Sequence, residues 1–110
     1  MALSWNDFEM VDMRVGTIKR VEEFPKARTP AYKVWIDFGP EIGTLKSSAQ
    51  ITDHYLPKDL LDRQVIAVIN FPRKQIADFM SECLILGAPT PEGVVLLEPG
   101  MRVSNGLRIE

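Results

Sequence analysis

A chain of 110 residues has room for one hydrophobic core, since domains cluster at roughly 100 to 150 residues. Hydrophobic residues make up 45% and charged residues 25%, which is the composition of a folded globular protein and excludes extended disorder. The formal charge of −2 and pI near 5.4 attract no polyanion overall, so any nucleic-acid site has to be a local basic patch.

The opening MALSWNDFEM has no basic segment followed by an apolar run, and the apolar stretch Val65 to Ile69 is far short of the roughly 20 residues that cross a bilayer. A cytoplasmic protein without membrane insertion is expected. The single cysteine, Cys83 in ECLILG, has no partner for an internal disulfide and reads as a small buried hydrophobe.

In chain order, SWNDFEMVD starts with Ser4 as a helix N-cap and carries Trp5 and Phe8 on one face of a short helix. MRVGTIKRV then alternates, with Met13, Val15, Thr17 and Val21 on one side. Ile18 breaks the phase just after Gly16, which predicts a bulge there in a long bent strand. FPKARTPA is a loop, and AYKVWIDFG is a strand with Tyr32, Val34, Ile36 and Phe38 inward and Lys33, Trp35 and Asp37 outward. A short strand, TLKSSA, follows. QITDHYLPKDLLDR reads as a helix or pair of turns, with Pro57 near its start and Leu60 and Leu61 to bury. QVIAVINF is apolar and β-branched, which fits a central strand covered on both faces until Pro72 stops it. RKQIADFM reads as a polar loop anchored by Ile76 and Phe79. SECLILGA, VVLLEPG and GLRIE are further strand candidates.

Three strands, a helix and two more strands, in that order, make the five-stranded Greek-key barrel of the OB type, a mainly β fold. The N-terminal helix occupies residues 1–12, the barrel 13–88 and a C-terminal extension with extra strands 89–110, all within one domain.

Catalysis finds little support. Ser47 and Ser48 lack a G-x-S-x-G elbow, and the only histidine, His54, falls on a different predicted element. One cysteine and one histidine are too few for the usual metal ligand sets, and no glycine-rich loop is present to cradle a phosphate. No enzyme activity, metal or cofactor is expected.

Four stretches, DMRVGTIKRVEEFPKA, KSSAQIT, VIAVINFPRKQIADFMSECLILG and VVLLEP, resemble the tRNA-binding domain that recurs beside aminoacyl-tRNA synthetases. They resemble more closely its free-standing relatives, the CsaA-type export chaperones. The likeness runs from about residue 6 to the C-terminus. It implies an OB-fold homodimer whose interface is built by the N-terminal helix and C-terminal strands. It also implies the holding of unfolded precursor polypeptides for secretion, with the export ATPase as a further partner and no catalysis. The residues support pairing on their own account, because Trp5, Phe8, Leu107 and Ile109 lie outside a small barrel and need apolar cover.

On the binding side, small hydroxyls at Ser47, Ser48 and Ser81 and the amide of Gln50 line a mouth without filling it. Asn70 and Phe71 add an amide and an aromatic face, and the matching family positions place them near the serines. Arg73, Lys74, Lys33 and Arg14 supply a cationic rim. In a chaperone, Ser48, Gln50 and Asn70 would bond the main chain of an extended peptide and Phe38 and Phe71 would receive its side chains. In the alternative, a structure-specific tRNA-binding protein, Arg14, Lys33, Lys46, Arg73 and Lys74 meet phosphates on the same face. Plain structural roles compete at each position: strand-end hydrogen bonding for the serines, a solvated loop for Arg73 and Lys74, core packing for Phe79. Trp35, outward beside Lys33, is expected to meet a ligand or a second subunit.

Overall fold

The computed structural model describes residues 1–110. Two short helices and nine strands follow in the order α1 (Trp5–Glu9), β1 (Met13–Glu23), β2 (Tyr32–Asp37), β3 (Thr44–Ala49), α2 (Pro57–Leu60), β4 (Gln64–Val68), β5 (Lys74–Ile76), β6 (Phe79–Ser81), β7 (Leu84–Ile85), β8 (Gly87–Thr90) and β9 (Gly93–Leu96). Five of them form an antiparallel sheet in the order β3-β2-β1-β4-β7, while β5–β6 and β8–β9 are separate hairpins. The sheet curls until the Glu82 N–H donates to the Lys46 carbonyl at 2.8 Å, leaving a nearly closed barrel of the OB type.

Closure depends on β1, which is shared between two partners. Its first half pairs with β4 and its second half with β2. The bend between them is a bulge at Lys19, where the register steps from Ile18↔Ile36 to Arg20↔Trp35. The bulge is therefore three residues beyond Gly16. The glycine has a different task, since a Cβ on Gly16 would stand 2.5 Å from Ile36 Cγ2 and 2.8 Å from the Phe38 ring. Only a bare Cα lets the two layers of the barrel approach this closely.

Alternation along β2 directs Tyr32, Val34, Ile36 and Phe38 into the main core with Ile18, Leu60, Val65 and Ala67. Phe38 is only 1% exposed and so belongs to this core instead of to a binding mouth. Leu60 is fully buried, but Leu61 lies half exposed at the end of α2, because four helical residues present only one inward position. The Ser4 hydroxyl accepts from Asp7 N–H at 3.0 Å and caps α1.

RKQIADFM, expected as a loop, is the hairpin β5–β6. Ala77 at φ +52° makes its two-residue turn with Asp78, so the register Ile76↔Phe79 closes without a glycine. The absence of glycine hid the turn in the sequence. Phe79 folds under this hairpin into a second cluster with Phe24 and Ala31, bordered by Trp35 and Ile76.

Candidate binding face

The outward surface of β2 and β3, together with the hairpin β5–β6, gathers most of the polar and basic residues expected to bind. Cross-strand register sets Lys33 opposite Ser48, Trp35 opposite Lys46 and Lys74 opposite Ser81. Beneath them lies a small aromatic floor. Phe79 meets Phe24 and Trp35 edge-on, with ring centroids 5.5 and 5.8 Å away. The ammonium of Lys33 stands 4.9 Å from the Phe24 ring and 5.4 Å from Phe79, and that of Lys46 is 5.1 Å from Phe79. The Arg20 guanidinium covers Trp35 at 4.5 Å.

Trp35 therefore finds its partners within the chain, in Phe79 and Arg20, and needs neither ligand nor second subunit to cover it. The lysines matter for a related reason. Ring faces hold Lys33 and Lys46 without neutralising them, and neither they nor Lys74 form a direct ion pair, so all three ammonium groups are free of carboxylate contact. Arg73, in contrast, is within 3.8 Å of Glu82, and Lys26 within 2.8 Å of Asp78. The bond to Lys26 lowers the Asp78 carboxyl pKa, and the bond to Asp78 raises that of Lys26. Arg14 leaves the set. It is tied to Asp12 at 2.6 Å and to the Gly106 carbonyl at 3.0 Å.

The serines separate into different roles. Ser47 is buried at 1% exposure, and its hydroxyl donates to the Ser48 carbonyl. Ser81 Oγ accepts from the Ser48 N–H at 3.1 Å and joins the hairpin to β3. The Ser48 side chain is only partly buried and Gln50 is exposed, and these two stand at the edge of a hollow of about 330 Å³. Ile51, Leu84, Ile85, Pro89 and Val94 form its apolar walls. Asn70 is elsewhere engaged: its Nδ2 donates to the Met10 carbonyl at 2.7 Å and its Oδ1 accepts from Asp12 N–H at 3.0 Å. It ties the link between α1 and β1 to the end of β4 instead of facing the hollow, and Phe71 beside it projects into solvent at 57% exposure. The apolar walls at Leu84, Ile85, Pro89 and Val94 were missed in the sequence. One signal for them existed, because proline within a strand marks an edge left open, as Pro89 in β8 is.

Nothing here assembles a nucleophile. His54 is exposed and packs edge-on against Tyr55, Ser47 points into the barrel, and no group of three or more His, Cys, Asp or Glu residues is disposed to hold a metal. Burial, with a smaller contribution from Glu82, pushes the Cys83 thiol up to about 12, which leaves it protonated and unreactive at neutral pH.

A second apolar surface lies at the N-terminal helix. Trp5, Phe8, Val11 and Ile109 line a hollow of about 490 Å³ edged by Glu9, Arg108 and Glu110. Trp5 is 83% exposed, and Leu107 nearby in sequence to Ile109 is half exposed.

A family described as "putative tRNA binding domain" matches residues 13–108 of the chain, from β1 almost to the C-terminus. The chain belongs to the tRNA-binding domain family. Among curated relatives of this tRNA-binding domain is the methionine–tRNA ligase of Pyrococcus abyssi, 35% identical over 109 residues. The match takes in 99% of this chain and 15% of the ligase, so the chain spans about one seventh of that relative's length. Free-standing structures resemble it along their whole length. The chaperone CsaA from Bacillus anthracis str. Ames is 48% identical, with a TM-score of 0.93 and full coverage of both chains. The CsaA chaperone protein from Picrophilus torridus is 50% identical with a TM-score of 0.94, covering 99% of this chain and all of that one.

Proposed function

We propose that the protein is a non-catalytic chaperone that holds extended segments of unfolded precursor polypeptides for export, acting as one domain over residues 1–110 in the cytoplasm. The observation that carries this is the hollow whose apolar walls, Ile51, Leu84, Ile85, Pro89 and Val94, carry polar groups only at Ser48 and Gln50 on one edge. An extended peptide has that chemistry: side chains to bury and main-chain groups to bond. Full-length likeness to two structures called CsaA chaperones supports the same reading. Leu84, Ile85, Pro89 and Val94 now take the receiving role first given to Phe38 and Phe71. The export ATPase is the partner to which a held precursor would pass.

One specific observation favours a second function, structure-specific tRNA binding. Lys33, Lys46 and Lys74 share a face and have no carboxylate partners, which suits phosphates. Salt separates the two. Phosphate contacts release counterions, so three of them reduce affinity by roughly tenfold or more between about 50 and 200 mM salt, whereas apolar capture barely changes. Fluorescence titration of an unfolded precursor peptide and of tRNA at both salt concentrations tests them together. Salt-insensitive micromolar peptide binding that Leu84→Glu abolishes and Lys33→Glu spares is expected. Salt-steep tRNA binding lost in Lys33→Glu, with no peptide signal, overturns the chaperone function in favour of the second.

A further inference from the structure

Residues 105–109 run along β1 as a strap. The Gly106 N–H donates to the Val15 carbonyl at 2.8 Å, Val15 N–H to the Leu107 carbonyl at 3.0 Å and Ile109 N–H to the Met13 carbonyl at 2.9 Å. Two residues fix its start. Asn105 Oδ1 accepts from the Thr17 hydroxyl at 2.6 Å and from Gln64 Nε2 at 3.1 Å, and both donors are buried. Gly106 sits at φ +90°, where a Cβ would stand 2.6 Å from the Phe38 carbonyl oxygen. Docking therefore demands a short side chain with an acceptor oxygen followed directly by glycine.

That pair carries a chemical liability. With no Cβ to obstruct it, a glycine nitrogen reaches the side-chain carbonyl of a preceding asparagine more readily than the nitrogen of any other residue does. While the strap is docked the reaction is held off twice over, because the Gly106 N–H is committed to Val15 and the Asn105 carbonyl is pinned by two donors. When the strap lifts, both restraints vanish together.

We infer that Asn105–Gly106 is a spontaneous modification site, guarded by the docked strap, whose isoaspartate product makes strap release irreversible. The Gly106 backbone nitrogen bonds to Asn105 Cγ as the Cγ–Nδ2 bond breaks, and ammonia leaves carrying the proton given up by Gly106. Water then opens the resulting succinimide at one carbonyl or the other, giving aspartate or isoaspartate. Isoaspartate lengthens the main chain at position 105 by one carbon, so Gly106, Leu107 and Ile109 can no longer meet Val15 and Met13 in register. The wall that Arg108 and Ile109 give the hollow beside Trp5 and Phe8 is lost with them.

The full-length protein, aged at mildly alkaline pH with and without urea, supplies the test. Peptide mapping with isoaspartate methyltransferase labelling gives the rate at Asn105, and amide exchange gives the state of the strap. The folded protein is expected to react about tenfold or more slowly than the chain in urea, with Thr17→Val recovering part of the difference. The isoaspartate fraction is expected to lose the exchange protection of the Ile109 amide. Equal rates with and without urea, no acceleration in a folded Thr17→Val protein, or an isoaspartate form that keeps Ile109 protected would each overturn the inference. None of these readouts depends on which ligand the protein binds.

Discussion

Cys83 shows how one buried position acts on the whole chain. Desolvation raises its thiol to about 12, against an ordinary value of 9.0. The folded value is the higher one, so the protonated thiol favours the fold fully below pH 9.0, and that advantage fades as pH rises towards about 12, because the unfolded chain ionises first. Urea denaturation at about pH 8 and about pH 10.5 checks this: the native protein is expected to lose more stability than Cys83→Ala between the two, by roughly 1–2 kcal/mol. Equal losses would show that the thiol is in fact solvated. Asn70 teaches a complementary lesson. Amide chemistry made it a candidate ligand group, yet the same donor and acceptor are consumed by Met10 and Asp12. Residue type was legible and occupancy was not, since hydrogen-bond partners 58 and 60 positions away leave no mark on local sequence.

Among the elements, the hairpin β5–β6 decides the character of the binding face. It brings Phe79 beneath Lys33 and Lys46, and the ring's negative face offsets part of the repulsion between these neighbouring ammonium groups. Its ties to the rest of the chain are the Ser48–Ser81 bond, the Glu82–Lys46 pair of bonds, the Lys26–Asp78 ion pair and the packing of Phe79 on Phe24, Ala31 and Trp35. Phe79→Ala is thus expected to destabilise the fold by about 3 kcal/mol through a lost aromatic and the cavity left behind. It should also loosen the hairpin, so hydrogen exchange at Met80 and Ser81 should rise more than exchange in β4. Uniform acceleration throughout the barrel would mean that the hairpin and barrel open as one unit. Strand alternation had already assigned β2, inward and outward, residue by residue, because period two needs only local pleating. Hairpin and bulge were harder to read: Ala77 in a left-handed turn and Lys19 as the extra residue both depend on strand partners that impose the geometry.

For the whole molecule, the open question is what covers Trp5. A helix of five residues with no buried side chain contributes little to its own barrel, and the hollow at Trp5, Phe8, Val11 and Ile109 has the apolar character of a subunit contact. We propose that a second copy covers it, giving a homodimer of twice the 12.4 kDa chain. Light scattering at micromolar concentration is expected to report the dimer for the native chain and a shift to monomer for Trp5→Glu, in which a charge enters the contact. A native protein that scatters as a monomer would refute the pairing.

Composition and periodicity by themselves determined a mainly β barrel, its inward faces, the capped first helix and the inert cysteine, since each rests on neighbours within a few positions. The order of the predicted elements carried the OB topology, and the family resemblance in four stretches implied the same fold. Only the tertiary structure decided which polar groups remain free: it sank Phe38 and Ser47 into the core, committed Arg14 and Asn70 to α1 and the strap, and left Ser48 and Gln50 beside Leu84, Ile85, Pro89 and Val94. The reason is that availability for binding is whatever folding has not already used, and long-range pairing alone settles that.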